Sequence, residues 1–404
     1  MASPDITRDG SDPIGRASIF SGRRILMISP QAWNGLKLSK HHYAVELANG
    51  GSEVFFLNPP SQSGFRPRIS RGPSPHLWIV DYSQVSRGAR FLPAAANAGV
   101  DNLQARIIQR ALQFPVDVVW SFDPARFTTL THFDAKLHLF HAVDRVDPGV
   151  VEQIAASASA VMSVSDVILD VFASTGVPRF FVHHGLSREY AALARRQSPS
   201  VTEATEGRLL RPHRVGYVGN LLNPDIDHSA FCRIVGENPE IDFHLWGPYE
   251  YAALNWKSQD VPAVRTFVSF LTQQKNVVLH GLTPPSEVAT KIFDMDVLLV
   301  CYDPRRERNL GSNNHKVLEY LSTGRPVVSN HISTYVRPGV PEGLLCMPET
   351  LHNEELPELF QRVISTLDAL STDEMQQRRI RFALANTYSQ QLRTIDSLSA
   401  RLLR

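Results

Sequence analysis

Short apolar runs rich in Val, Ile, Leu and Phe recur along the chain, separated by longer stretches whose apolar residues return every three or four positions. The first pattern predicts strands and the second amphipathic helices. In the first half the strand candidates are RRILMIS, EVFFLN, LWIVDY, VDVVWSF, KLHLFHAV, AVMSVS and RFFVHH. Between them lie helical patterns in SKHHYAVELANG, DNLQARIIQRALQF, GVVEQIAASAS and DVILDVFASTG. Several strands are apolar on both faces, as parallel strands covered by helices must be. Such alternation predicts α/β architecture with parallel sheets.

From residue 187 to 212 the pattern lapses into a connector rich in Arg, Ser, Glu and Thr. A second series then begins with RVGYVGN, IDFHLWG, NVVLHG, DVLLVCY, RPVVS and GLLCMP as strands. Its helices are expected in DHSAFCRIVGEN, PPSEVATKIFDM, NNHKVLEYLS and LHNEELPELFQRVISTLDAL, and residues 372–404 read as helical and charged. The expected organisation is a disordered lead-in (1–20), a first domain (21–190), a linker (191–212) and a second domain (213–388). Two such halves enclose a cleft, and ligands of open α/β sheets sit at the carboxyl ends of strands.

Composition narrows the partners. Lys plus Arg (41) balance Asp plus Glu (40), so no nucleic-acid partner is expected. Cys232, Cys301 and Cys346 are scattered without C-x-x-C spacing, which suits a reducing compartment and argues against zinc. No apolar run reaches the roughly 18 residues of a membrane span, and the N-terminus lacks a signal-peptide core. A cytoplasmic protein is expected. GFRPRISRGPSPH reads as a basic solvated loop that can also meet phosphate or membrane.

The segment GSNNHKVLEYLSTGRPVVS, residues 311–329, concentrates the candidate chemistry. Ser312, Asn313 and Asn314 are N-cap types, Val317, Leu318 and Leu321 give an apolar face, and Gly324 suits the helix stop. Lys316 therefore stands near the positive end of a helix dipole, where a cation is disfavoured unless an anion meets it. With the backbone N–H groups of Asn313, Asn314 and His315 it can form a diphosphate site. Glu319, one turn on, can accept hydrogen bonds from a ribose diol. The same spacing also suits an i, i+3 ion pair on a solvated face.

NNHKVLEYLSTGRPVVS resembles the K-x-x-E-Y-x-x-x-G-x-P-V-V segment of GT-B glycosyltransferases of the family-4-like group. SKHHYAVELANGGSEVFFLNPP is similar to their first helix and second strand. SVSDVILDVFASTG with VHHGLS, VGYVGNLLNPDIDHSAF and FHLWGP match further elements in order. The resemblance implies two Rossmann-like doubly wound domains facing a cleft, with the C-terminal helix, roughly 389–404, crossing back to the first. It implies a nucleotide-diphosphate sugar donor met by Lys316 at the diphosphate and Glu319 at the ribose, a glycan or lipid-linked acceptor, and no metal. Retaining members commonly carry another glutamate eight residues before the matched one, and here that position is Gly311.

LFHAVDRVDP, residues 139–148, resembles the strand-plus-aspartate element of the inverting glucuronosyltransferase of xanthan assembly, whose lysine segment also lacks the first glutamate. Asp144 follows a strand and is the expected general base. Capping of the next helix or pairing with Arg145 is the alternative, although Asp147 before Pro148 is the nearer cap. Asn34, Lys40 and His41, on the loop and helix after the first strand, and His184 before Gly185, are expected near acceptor or phosphate. Gly219 and Asn220 follow a strand where a glycine admits a phosphate to the backbone, or makes a tight turn. An epimerase on the same scaffold, a catalytically silent binding subunit and a bilobal small-molecule binder are the rival readings. Family habit adds peripheral membrane contact, with RPRISR and QARIIQRAL as footholds.

Overall fold

The computed structural model describes residues 18–61, 66–85, 94–196, 213–250, 261–306 and 313–403. One sheet contains β1 (Arg24–Ile28), β2 (Glu53–Leu57), β3 (Arg68–Arg71), β4 (Leu77–Asp81), β5 (Val118–Ser121), β6 (Leu137–Ala142), β7 (Ala160–Ser163) and β8 (Arg179–Phe181). Their order is β3-β4-β2-β1-β5-β6-β7-β8, parallel throughout except where β3 meets β4. Helices α1 (Ser39–Asn49), α2 (Ala94–Leu112), α3 (Pro148–Ser157) and α4 (Asp166–Asp170) belong to this lobe.

After α5 (Arg188–Arg196), an entirely parallel second sheet is built from β9 (Arg214–Val218), β10 (Asp242–Trp246), β11 (Val277–Gly281), β12 (Val297–Val300) and β13 (Val327–Ser329), in the order β11-β10-β9-β12-β13. Its helices are α6 (His228–Gly236), α7 (Pro262–Gln273), α8 (Pro285–Lys291), α9 (Lys316–Leu321), α10 (Leu356–Ser365), α11 (Leu367–Leu370) and α12 (Asp373–Ala385). Each sheet carries two apolar clusters, so β5, β6, β7 and β12 are buried along their whole length. Burying each large apolar side chain there contributes about 1.5–3 kcal/mol.

The final helix, α13 (Tyr388–Leu402), crosses back to the first lobe and packs on α1. Leu186 anchors the crossing, its N–H donating to Asn386 O at 2.7 Å and its carbonyl accepting from Tyr388 N at 3.2 Å. The Tyr388 ring then stacks on His42 and meets Tyr43 edge-on, with centroids at 4.6 and 5.1 Å.

Several expectations need correction. RISR, read as solvated loop, forms β3, an exposed antiparallel edge strand whose alternation was hidden by its arginines. The linker begins with α5, held by a two-pronged Arg188–Glu46 bond at 2.5 and 2.8 Å; residues 197–212 lie outside the described residues. Residues 18–20, expected to end a disordered lead-in, include Phe20 buried against Trp120. GLLCMP contributes only an isolated bridge, Val328 to Cys346, and α7 was not anticipated.

Candidate functional site

In each sheet the strand order reverses once, between β1 and β5 and between β9 and β12. Such switch points open a crevice at the carboxyl ends of the strands. In the second lobe Lys316 fills that position. Its Nζ donates to Val218 O at 2.6 Å, at the end of β9, and to Tyr302 Oη at 2.8 Å, just beyond β12. The ammonium also stands 5.1 Å from the ring centroids of Tyr217 and Tyr302. Lys316 is 6% exposed, which removes the solvated ion-pair alternative.

The helix begins later than expected. Lys316 is its first residue, His315 occupies the cap position without a side-chain cap bond, and Asn314 Oδ1 accepts from Lys316 N at 3.4 Å. Asn314 Nδ2 donates to Tyr302 Oη at 3.2 Å. Tyr320, one turn after Lys316 on the same face, accepts from Val218 N at 2.7 Å. Residues 316 and 320 thereby hold both backbone polar groups of Val218, the i, i+4 geometry of a helix applied to a strand end. Gly311 and Ser312 lie outside the described residues.

Gly219 leaves room for this arrangement, since a Cβ there would lie 2.8 Å from Lys316 Nζ. Asn220 Oδ1 turns back to accept from Leu222 N at 3.0 Å, so its carbonyl end is committed to a tight turn. Behind it, Gly247 has φ +137°, and a Cβ on it would fall 1.9 Å from Gly219 O. Gly247→Ala should therefore destabilise the chain by about 2–4 kcal/mol, seen as a lowered urea midpoint with unchanged slope.

Glu319 is half-buried, with Oε1 3.9 Å from His315 Nε2 and Tyr190 of α5 donating to it. Burial raises its pKa to about 7, opposed by the Lys316 charge and the Tyr190 hydrogen bond. His315 is held down to about 4 by burial, then by Lys316 and by Lys40. That last influence comes from the other lobe, and it places the start of α1 opposite the start of α9.

In the first lobe Lys40 is 2% exposed. Burial lowers it to about 8, while the carboxylates of Asp144 and Asp123 act to raise it. Asp144 is exposed in the turn after β6, and Asp147 is the residue that caps α3, accepting from Gly149 N at 2.7 Å. Asp123 is fixed by Arg126 at 2.6 Å, whose guanidinium also reaches Ser29 O and Tyr82 Oη at 2.5 and 2.6 Å. Arg126 thus ties the ends of β1, β4 and β5 into one floor.

His41 departs from expectation. Its Nδ1 accepts from Leu38 N at 3.0 Å and its Nε2 lies 3.2 Å from Ala32 O, so both nitrogens serve the start of α1 rather than a ligand. Asn34 is exposed on the preceding loop. His184 joins the lobes: its Nε2 is 2.6 Å from Asn313 O, and its Nδ1 is 3.4 Å from Ser39 Oγ. A carbonyl only accepts, so Nε2 carries the proton and the ring is neutral, in keeping with a pKa pushed down to about 3 by burial. Asn313 also donates from Nδ2 to Val164 O at 3.1 Å. Asn313 and His184 are therefore the joint between lobes, with Asn314, His315, Lys316, Glu319, Gly219 and Asn220 on one side and Lys40 and Asp144 on the other. Tyr302, Tyr190 and Ser39 were missed. Only the polar turn after the apolar run VLLVC hinted at Tyr302.

No family model matches the chain, and no curated protein matches it in sequence. Solved structures do match in fold. The E. coli trehalose-6-phosphate structure bound with UDP-2-fluoro glucose superposes with TM-score 0.67 at 10% identity, covering 94% of this chain and 99% of that one. Sucrose-phosphate synthase from Thermosynechococcus elongatus gives 0.67 at 14% identity over 94% and 99%. A trehalose-6-phosphate synthase from work on glycosyl transfer with retention gives 0.66 at 10% identity over 93% and 99%. At these identities the likeness is one of architecture: two parallel α/β sheets and a returning C-terminal helix, the GT-B fold.

Proposed function

We propose that this chain is a glycosyltransferase that moves a sugar from a nucleotide-diphosphate donor to a glycan or lipid-linked acceptor in cell-surface polysaccharide synthesis. The observation that carries the reading is the placement of Lys316 Nζ at the switch point of the second sheet, between Val218 O and Tyr302 Oη. A diphosphate entering that crevice exchanges two neutral acceptors of the ammonium for anionic oxygens, which adds charge–charge attraction to its hydrogen bonds. Glu319 then takes the ribose diol, and Gly219 lets the phosphates approach the backbone. A fold relative that holds UDP-2-fluoro glucose supports a donor of this class.

On the acceptor side Asp144 acts as base. It removes the proton from the acceptor hydroxyl as that oxygen bonds to the anomeric carbon. The bond from that carbon to the diphosphate breaks on the opposite face, and Lys316 meets the charge left on the nucleoside diphosphate. The configuration inverts. Lys40, buried in the same lobe, is a cation whose charge the Asp144 and Asp123 carboxylates favour. The reading needs no metal, because the lysine and backbone N–H groups answer the leaving-group charge. It departs from the retention described for the fold relative because Gly311 stands where a retaining enzyme's carboxylate is expected. Among the described residues no helix is long and apolar enough to cross a membrane, so contact with a lipid-linked acceptor would be peripheral.

The test is a panel of sugar nucleotides, first by thermal shift and then by transfer to polyprenyl-linked acceptors. Asp144→Asn should keep nucleotide stabilisation while losing about 10²–10⁴-fold in transfer rate. Full activity in Asp144→Asn would remove the base. Donor turnover without any acceptor would favour the epimerase instead.

A further inference from the structure

A second recess, of about 790 Å³, lies among the segments that join the lobes and contains none of the cleft residues described above. Phe181 and His183 at the end of β8 form one wall, the turn from Arg337 after β13 a second, and Arg378, Arg381 and Phe382 of α12 a third. Three guanidinium groups line it and no carboxylate does. Arg378 and Arg381 stand one turn apart on one face of α12, and among the described residues neither has a carboxylate or hydrogen-bond partner. Arg337 lies 3.5 Å over the Phe181 ring with its Nε 3.1 Å from Asp166 of the first lobe. Its Nη1 is buried without a partner.

An unpaired buried N–H is destabilising, and gathered like charges add to that cost unless an anion answers them. Counting Asp166 against the three arginines leaves two positive charges. A phosphate monoester, carrying about −1.5 to −2 at neutral pH, matches that balance better than a single carboxylate. Its planes of oxygens also suit the guanidinium fork. The volume falls within the roughly 300–1,000 Å³ of small-molecule sites.

We propose that this recess is a binding site for a small, soluble phosphate-bearing anion, held between Arg337, Arg378 and Arg381 at the joint of the lobes. Arg337 also carries the ion pair to Asp166, so an occupant acts directly on the contact between the lobes.

Titration calorimetry of the full chain with inorganic phosphate, at ionic strength fixed with chloride, tests this. Wild type should bind saturably, and Arg378→Gln/Arg381→Gln should bind at least tenfold more weakly. Both side chains are exposed or half-buried, so the melting temperature of the double variant should be unchanged. Stabilisation by a nucleoside diphosphate in the cleft should also be unchanged. No saturable phosphate binding, equal affinity in the double variant, or equal loss of phosphate and nucleotide binding would each overturn the assignment. The phosphate result stands or falls separately from the transferase reading, since that reading fails if no nucleoside diphosphate binds at all.

Discussion

Lys316→Ala is expected to lower affinity for a nucleoside diphosphate by about 10²-fold, the worth of one or two charge-assisted hydrogen bonds. Without ligand the ammonium already bonds to Val218 O and Tyr302 Oη, so the substitution also strands a buried carbonyl and should cost about 1–3 kcal/mol of stability. Loss of binding and loss of stability must therefore be separated. Tyr302→Phe does this, because it removes one partner of the unliganded lysine and leaves its charge. If the lysine waits for an anion, Tyr302→Phe should bind nucleotide within a few-fold of wild type, while Lys316→Ala should bind about 10²-fold more weakly. A thermal shift with UDP that is as large in Lys316→Ala as in wild type would sink the phosphate assignment, whatever happens to stability.

The architecture was legible because it rests on periodicity. Fully buried strands such as VVWS and LHLFHA are apolar at most positions, interrupted only by Ser121, His138 and His141, and the sequence has little freedom there. β3 escaped because an edge strand needs only one covered face, and its exposed positions are Arg68, Ser70 and Arg71. α5 escaped because REYAALARR buries only Tyr190, Ala191 and Ala194, too small a stripe to stand out. At the site the lysine was legible through its neighbours along the helix, but its partners were not. Val218 ends β9 and Tyr302 lies just beyond β12, and a contact between residues 98 or 14 positions apart leaves no local trace. His41 shows the converse. Its place at the third position of α1 makes it a capping residue, a use that its type alone did not disclose.

The other large effect is on stability in acid. His41, His141, His183 and His184 are buried, and burial holds them down to about 4, 3, 3 and 3. Their unfolded value is near 6.5, so between pH 6.5 and their folded values the unfolded chain binds more protons and stability falls as pH falls. At pH 5 each contributes a loss of about 2 kcal/mol, and the four together about 8 kcal/mol. Glu319 works in the opposite direction. Raised to about 7 by burial, it holds a proton in the folded chain that the unfolded chain has released, and so returns about 2 kcal/mol between pH 7.5 and 5. The histidines win, and the net loss of about 6 kcal/mol is comparable to the whole stability of an ordinary domain. Unfolding is thus expected near pH 5, before most surface carboxylates protonate. His141, stacked against Phe122 and Trp120 with neither nitrogen hydrogen-bonded, is the site to change. His141→Phe should move the acid midpoint downward, whereas Glu319→Gln should leave stability at pH 5 nearly as it is and raise it at pH 8. A melting temperature that stays flat from pH 7.5 to 5 would mean that these imidazoles find protons or partners in the folded chain, and the neutral His184 bridge between the lobes would fall with that result.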